Sequence, residues 1–331
     1  MDAPPVQYVT TSDGYDIAYA VCGSGPPIMV LPGAFEHVQL AWEYPVLGSW
    51  LRALAARFTA VQLDLRGAGM SSRNLGPDFK FDHFQRDVEA VVDRVKLDHV
   101  IIWAATAMCS VAARYAVDNP NKVTALILSS PANRPRSPAF FSEVSEQDWE
   151  QFLYGIVPRN RSPEEAKMQV NLLKQSFDSA GFGRRFRAAA GVDMAELFAR
   201  TVTPTLVLHA RDYAMIEATE AMHVAQLARA SLALIDGSYV FGDPDQGVRA
   251  IEGFLSRLNQ DAQGASSAGG LSPRETEVLH LLAGGKSNQQ IADELVISLN
   301  TVNRHVSNIY AKIGAANRAE AATYAAQHGI A

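Results

Sequence analysis

The chain has 331 residues, of which 48% are hydrophobic, and a formal net charge of −6, so it can fill one large folded core and one small one. Its two cysteines, Cys22 and Cys109, exclude a disulfide framework, and no cysteine or histidine cluster suggests a metal site. The N-terminal sequence lacks the basic and apolar regions of a signal peptide, and no apolar run is long enough to span a bilayer. We therefore expect a soluble cytoplasmic protein without a cofactor and without membrane contact.

Residues 1–258 alternate short apolar runs with helical patterns, which is typical of an α/β protein with a doubly wound, mostly parallel sheet. The predicted strands are Ile28–Leu31, Ala60–Leu63, Val100–Trp103, Ala125–Leu128, Thr205–His209 and Leu232–Ile235. The helical patterns between them lie near 46–57, 82–96, 109–118, 218–229 and 245–258.

Residues from about 132 to 200 interrupt this alternation. They are rich in aromatic and charged residues and contain no strand-like run, so we expect a helical cap inserted over the sheet. Small polar residues dominate 259–270, which we predict to be a linker between domains. A small all-α domain is predicted over 271–331.

Three turns of the large domain follow predicted strands. Residues 31–35 (LPGAF) follow the first strand, residues 64–71 (DLRGAGMS) follow the second, and residues 103–109 (WAATAMC) join the third to a helix. In this order and spacing the turns resemble those of the α/β-hydrolase fold across residues 6–258. That resemblance implies a nucleophile in the third turn, an acid after the fifth predicted strand and a histidine after the last.

The catalytic residues of that fold are not matched. Thr106 stands at the nucleophile position, and its β-methyl group is a poor fit to a strained turn. Tyr213 and Val240 stand at the acid and base positions, although Asp212 is adjacent to the former. Residues 236–279 contain no histidine, so the general base expected last in chain order is missing. We therefore predict no catalytic residues and no enzyme activity.

The loss of the triad leaves the pocket that a cap and the strand ends would enclose. We expect this pocket to bind a small, largely apolar effector without hydrolysing it. The alternative is that the substituted side chains only fill a vacated pocket. The predicted ligand-binding residues are Ala34, Phe35, Thr106, Ala107, Tyr213, Val240, Phe140 and Trp149.

The sequence of residues 271–331 predicts four helix N-termini. The predicted caps are Ser272 with Glu275, Ser287 with Gln290, Ser298, and Asn317 with Glu320. Glycines 284, 285 and 314 end the first and third of these helices. The third helix has an apolar stripe formed by Val302, Val306, Ile309 and Ile313, and its other face is polar. The short connection before it predicts a helix-turn-helix.

Residues 271–331 resemble the DNA-binding domain of LuxR-type regulators over its whole length. Matching positions include Leu271, Arg274, Glu277, Gly285, Ile291 and Thr301. The resemblance implies that Asn303, Arg304 and Ser307 face bases, and that Thr301, His305 and Lys312 meet backbone phosphates. The implied partner is a double-stranded DNA operator, with RNA polymerase as a possible protein partner. On the pattern alone, the polar face could instead be a solvated surface of a helical hairpin.

The charge of this small domain is balanced, with five basic and five acidic residues in 271–331. A neutral domain displaces few counterions, so one copy should bind DNA weakly. We therefore expect a homodimer on a two-fold operator.

Together these features predict a ligand-responsive transcriptional regulator. Two alternatives stay open: a bifunctional regulator with residual esterase activity, and a constitutive DNA-binding protein whose large domain serves only for dimerisation. A response regulator is disfavoured by the order of motifs in 1–258.

Overall fold

The computed structural model describes residues 2–132, 146–158, 161–190, 192–266, 270–295 and 297–330. The chain forms two compact units, Met1–Glu252 and Gly253–Ala331. Each unit has its own buried core, in agreement with the one large and one small core expected from the sequence.

The larger unit is built on one sheet of eight strands in its described residues, in the order β1-β2-β4-β3-β5-β6-β7-β8. Strands β1 and β2 are antiparallel, as are β2 and β4, and the remaining pairs are parallel. The predicted doubly wound, mostly parallel sheet is thus confirmed. The strands are β1 (Gln7–Thr10), β2 (Asp16–Cys22), β3 (Pro27–Leu31), β4 (Thr59–Leu63), β5 (Val100–Ala105), β6 (Val123–Ser129), β7 (Thr205–Ala210) and β8 (Ser231–Ile235).

Helices cover both faces of this sheet, so its central strands are buried apolar runs rather than alternating ones. All six residues of β5 are buried. The helices that connect the strands are α1 (Pro45–Ala55), α2 (His83–Val95), α3 (Met108–Asp118) and α8 (Ala218–Leu227), and α9 (Pro244–Ser266) follows the last strand.

A group of aromatic rings packs on one side of the sheet. Trp50 of α1 stacks on Trp103 of β5, with ring centroids 5.3 Å apart, and Trp103 contacts Phe241 at 5.3 Å. Phe241 in turn contacts Phe35 at 5.3 Å. The indole N–H of Trp50 donates to the carbonyl oxygen of Gly242 at 2.8 Å. These contacts tie the loop after β3 to the segment after β8.

The region predicted as a cap is helical in its described residues. Between β6 and β7 lie α4 (Trp149–Ile156), α5 (Pro163–Ser176), α6 (Ser179–Ala190) and α7 (Met194–Ala199). Helix α5 begins with a capping box, in which Ser162 accepts from the backbone N–H of Glu165 and Glu165 accepts from that of Ser162. These helices share a small aromatic core that includes Trp149, Phe177 and Phe182.

The smaller unit contains α10 (Pro273–Ala283), α11 (Asn288–Leu295), α12 (Leu299–Ile313) and α13 (Arg318–Gln327). The four predicted helix starts are confirmed by side-chain hydrogen bonds at Ser272, Ser287, Ser298 and Asn317. Gly314 ends α12 with φ of 69°, a conformation that suits glycine. The predicted stripe of α12 packs into this core through Val302, Val306, Ile309 and, partly buried, Ile313.

The predicted linker over 259–270 is wrong for its first part, because residues 259–266 continue α9. The boundary between the compact units falls earlier, after Glu252 and within α9. Extending an existing helix adds one hydrogen bond for each residue that is fixed, so a polar, alanine-containing segment can continue it without a buried face. Composition alone does not reveal such an extension.

Candidate functional site

Thr106 lies in a tight turn between β5 and α3, with a positive φ of 49°. This conformation is strained for a β-branched residue. The turn is held by hydrogen bonds: the N–H of Thr106 donates to the Ser129 carbonyl at 3.0 Å, and the N–H of Cys109 donates to the Thr106 carbonyl at 3.1 Å. Thr106 therefore adopts a strained backbone conformation in spite of its β-methyl group, between a buried strand and a helix that hold the turn on either side.

The loop after β3 approaches Thr106 closely at Gly33, which has φ of +75°. A Cβ atom at this position would lie 2.6 Å from Oγ1 of Thr106 and 3.0 Å from the carbonyl oxygen of Ala105. Only glycine lets the backbone pass at this distance. Ala34 and Phe35 follow directly and line the cavity beside Thr106.

The main cavity has a volume of about 210 Å³ and opens beside Thr106. Six predicted ligand-binding residues line it together: Ala34, Phe35, Thr106, Ala107, Tyr213 and Val240. The other lining residues are Ser110, Ala132, Ile156, Pro158, Arg161, Gln169, Leu173, Phe182, Phe186, Ala189, Met194, Met215, Ile216 and Tyr239.

One predicted lining residue from the cap, Trp149, is not among the described residues of this wall. Trp149 lies behind it: the indole stacks on Phe152 at 5.6 Å and meets Phe182 edge-on at 5.2 Å, and Phe182 is the residue that faces the cavity. The aromatic character of the cap was predicted, but helix phase decides which ring points inward. Phe140 lies outside the described residues.

No histidine and no carboxylate occur among the described residues that line the cavity. Tyr213 follows β7, and the neighbouring Asp212 is exposed and not part of the wall. Val240 is buried, and its carbonyl oxygen accepts from the hydroxyl of Ser130 at 3.1 Å. His209 is buried in β7, where desolvation lowers its pKa, and it does not reach the cavity. The nucleophile position is thus present without a general base in the described wall.

Arg161 and Gln169 are polar lining residues that the sequence reasoning missed. Nη1 and Nη2 of Arg161 donate to the hydroxyl and carbonyl oxygens of Ser238 at 3.0 and 2.7 Å. The guanidinium carbon lies 3.3 Å from the ring centroid of Tyr239, whose hydroxyl donates to Glu165 at 2.9 Å. In the sequence, 161–169 shows only a helix start, so no signal marks these side chains as lining a cavity.

A smaller cavity of about 70 Å³ shares Thr106, Ala107 and Phe182 with the main one. Its wall includes an ion pair between Glu36 and Arg185, both of which are buried. Burial raises the pKa of Glu36 to about 7, and the guanidinium of Arg185 opposes that rise. Nη1 of Arg185 also donates to the carbonyl oxygen of Arg66 at 2.5 Å, which anchors α6 to the turn after β4.

That turn contains a second buried carboxyl group, Asp64. Its Oδ2 accepts from the backbone N–H groups of Val38 and Met70 at 3.0 and 2.9 Å. Burial raises the pKa of Asp64 to about 7. A Cβ atom at Gly69, which has φ of 53°, would lie 2.1 Å from the same oxygen. The 64–71 motif therefore serves the structure of the loops around the cavity.

In the smaller unit, α12 presents the predicted polar face to solvent. Thr301, Asn303, Arg304 and Ser307 are exposed, and His305 is half-buried. The amine of Lys312, which is predicted to meet a phosphate, donates to Glu275 at 2.6 Å. Glu275 also completes the capping box of α10, so this pair links the two helices. The amine expected to meet a phosphate already has a partner within its own unit.

Three further basic side chains of residues 270–330 are also engaged. Arg274 pairs with Glu277 at 2.5 Å, Lys286 pairs with Glu294, and Arg318 donates to two backbone carbonyl oxygens. Within residues 270–295 and 297–330, Arg304 forms neither an ion pair nor a hydrogen bond. Its charge is therefore available at the centre of the polar face.

Two absences can be stated for the part of the chain that the structure describes. No helix there is long and apolar enough to cross a membrane. No group of three or more histidine, cysteine, aspartate or glutamate side chains there could hold a metal ion.

Comparison with known proteins also divides the chain into an N-terminal and a C-terminal part. Residues 26–169 match the model of the alpha/beta hydrolase fold, and residues 270–325 match that of the bacterial regulatory proteins of the luxR family. The transcriptional regulatory protein LiaR of Bacillus subtilis is 32% identical over 124 residues, which is 38% of this chain and 54% of LiaR. The chain thus spans about half the length of this curated relative.

Solved structures resemble the larger unit. An esterase from Thermogutta terrifontis has a TM-score of 0.65 at 20% identity, over 77% of this chain and 99% of its own. An enol-lactonase from Burkholderia xenovorans has a TM-score of 0.64 at 16% identity, over 76% of this chain and 100% of its own. At these identities the likeness establishes the fold alone. The chain therefore combines an α/β-hydrolase domain with a C-terminal domain of the luxR family of bacterial regulatory proteins.

Proposed function

We propose that this protein is a transcriptional regulator in which the α/β-hydrolase domain binds a small molecule without hydrolysing it. The observation that carries the proposal is the cavity beside Thr106, whose described wall contains no histidine and no carboxylate. A protein that needed only a folded scaffold would gain stability by filling this space, because cavities are costly in a close-packed core.

The absence of hydrolysis follows from proton transfer. The hydroxyl of Thr106 needs a nearby group that accepts its proton near neutral pH, and histidine provides that group in hydrolases of this fold. The residues that the resemblance assigns to the other triad positions, Tyr213 and Val240, line the cavity and cannot take that role. Glu36 has a pKa of about 7, but it lines the smaller cavity, where it pairs with Arg185 and accepts from the N–H of Leu65. An oxygen atom of the ligand can therefore occupy the space between Thr106 and the loop at Ala34 without being attacked.

The C-terminal domain supplies the output. Asn303, Arg304 and Ser307 lie on the exposed face of α12 and have the length and hydrogen-bonding groups that reach base edges in a major groove. The unit has few unpaired basic side chains, so a single copy gains little from phosphate contacts. We propose that two copies act together on a two-fold operator.

Ligand and DNA must communicate through a difference in affinity between two states of the protein. The cap helices α5 and α6 contribute Gln169, Phe182 and Phe186 to the cavity wall. A ligand that contacts both the cap and the Thr106 turn stabilises one arrangement of the cap. In the proposed function, that arrangement favours one state of the DNA-binding pair.

The test begins with the full-length chain and a random duplex library, from which bound DNA is selected and sequenced. We expect enrichment of a two-fold symmetric site. Protein purified from its host is then denatured, and the released small molecules are identified by mass spectrometry and added back to the DNA-binding assay. The proposal is wrong if no DNA sequence is enriched, or if no released or added molecule changes the affinity of the protein for DNA.

A second candidate is a regulator that also hydrolyses its effector. It is favoured by one observation, the retained strained turn at Thr106 with φ of 49°. Turnover of p-nitrophenyl butyrate that disappears in Thr106→Ala would establish this candidate. We expect no turnover above that of the variant.

A further inference from the structure

Arg161 is the one charged side chain among the described residues that line the main cavity. The rest of that wall is aromatic, aliphatic or neutral and polar. Arg161 makes its two described hydrogen bonds to Ser238, which is neutral, and forms no ion pair within the described residues. Its guanidinium also stacks on the ring of Tyr239, so its described partners are neutral, and the wall has a positive charge without a paired anion in largely apolar surroundings.

Two polar atoms in this part of the wall have no partner. Nε of Arg161 and Oε1 of Gln169 are buried, and neither forms a hydrogen bond within the described part of the chain. Gln169 is only 9% exposed. Buried polar groups in folded proteins are nearly always hydrogen-bonded, so the polar groups of this part of the wall are incompletely satisfied within the described residues.

Glu165 forms no ion pair with Arg161 within the described residues, although the N–H of Ser162 and, to a smaller extent, the positive charge of Arg161 lower the pKa of its carboxyl. Glu165, four residues further on, accepts from the backbone N–H of Ser162 at 2.8 Å and from the hydroxyl of Tyr239 at 2.9 Å. These bonds hold its charge at the N-terminus of α5, and it does not line the cavity. A ligand cation would meet Arg161 with no counter-charge in the described wall.

We propose that the effector is an amphipathic organic acid whose carboxylate binds Arg161, while its apolar body packs on Phe182, Phe186 and Met194. Bonds between arginine and a carboxylate are charge-assisted and stronger than neutral hydrogen bonds. Nη1 and Nη2 of Arg161 each carry a second N–H, which can bind the acid without breaking the bonds to Ser238. This inference rests on the proposed function, because it names the class of ligand for the same cavity.

The experiment uses three probes with one apolar body: 4-phenylbutyrate, 4-phenylbutanol and 4-phenylbutylamine. Binding to the full-length chain is measured by isothermal titration calorimetry. We expect the acid to bind at least about tenfold more tightly than the alcohol, and the amine to bind most weakly.

Two variants locate the preference. In Arg161→Met, the affinity for the acid should fall to that for the alcohol. An unchanged affinity for the alcohol would show that the cavity is intact. Gln169→Glu replaces the amide by a carboxylate of similar size. In this variant the affinity for the acid should decrease and the affinity for the amine should increase. The matched control is Arg200→Met, which removes an exposed arginine that pairs with Glu196 just outside the cavity, and which should leave all three affinities unchanged.

Equal binding of acid and alcohol to the wild type overturns the inference and leaves the proposed function standing. A preference for the acid that persists in Arg161→Met also overturns the inference, because another group of the protein then binds the carboxylate. If none of the three probes binds at millimolar concentration, the inference of an amphipathic acid is overturned, whereas the proposed function is decided separately by the effect of released molecules on DNA binding.

Discussion

The turn at Thr106 and the exposed face of α12 differ in what maintains them. The turn keeps a strained backbone although its side chain is unsuited to it, because a buried strand and helix on either side fix its geometry. The polar residues of α12 contribute little to packing, since its core contacts are made by Val302, Val306 and Ile309. The packing of neighbouring elements is therefore enough to fix a backbone shape, whereas an exposed polar face that folding does not require indicates a partner.

The largest expected effect tests the face of α12. Arg304→Ala should weaken operator binding by about 1–3 kcal/mol for each half-site, since it removes the unpaired cation of the face. Anisotropy titration with labelled operator measures the change. Arg274→Ala is the control, because Arg274 is already paired with Glu277 and should change binding little. Parallel loss of ligand binding in Arg304→Ala would contradict separable roles for the two domains.

The next effect tests how tightly packing holds the turn at Thr106. Gly33→Ala should destabilise the larger unit by about 2–4 kcal/mol, because it combines a left-handed backbone with a Cβ atom 2.6 Å from Oγ1 of Thr106. Urea unfolding followed by circular dichroism measures it. In a Thr106→Ala background, part of the loss should be recovered. A Gly33→Ala protein with unchanged stability would mean that the turn is not held as described.

A smaller effect concerns the buried carboxyl group beneath the same loops. Burial raises the pKa of Asp64 from 3.8 to about 7, so the unfolded chain releases this proton at lower pH than the folded one. The group therefore lowers stability progressively as pH rises from about 4 to about 7. Asp64→Asn should remove this contribution and so change the slope of the free energy of unfolding against pH by at most about 1.4 kcal/mol per pH unit. The exposed Asp98→Asn is the control, and an equal flattening there would rule out this explanation.

The smallest effect returns to the smaller unit. Ser298→Ala removes the side chain that accepts from the backbone N–H of Thr301 at 3.1 Å, and it should cost about 1 kcal/mol of stability. Thermal unfolding of the full chain should show the loss in the transition of the C-terminal unit alone. A shift in the transition of the larger unit would show that the two do not unfold separately.

Much of this molecule was predictable where the signal is local. The helix caps at Ser272 and Ser298 depend on residues three positions apart, and strands such as β5 are continuous apolar runs between turns. The turns at Gly33 and Thr106 were placed correctly because their order along the chain resembles a known fold. Six of the predicted cavity residues come from these turns and strand ends.

The rest depends on contacts between distant residues. Lys312 pairs with Glu275, 37 positions away, so its sequence neighbourhood suggests a free amine. Arg161 and Gln169 face the cavity only because of the rotation of α5 and the segment before it, and Trp149 turns away for the same reason. The helical continuation of α9 through 259–266 has no sequence signal beyond moderate propensity.

The row of rings from Phe35 through Phe241 to Trp103 and Trp50 has an optical consequence. Phe35 lines the cavity, and two of the four tryptophans of the chain lie at the far end of this row, buried and stacked on each other. Their emission depends on ring packing and on the Gly242 carbonyl that accepts from Trp50. Occupancy of the cavity can therefore be followed by ultraviolet fluorescence of the unlabelled protein, and a Trp103→Phe substitution identifies which part of the signal comes from this stack.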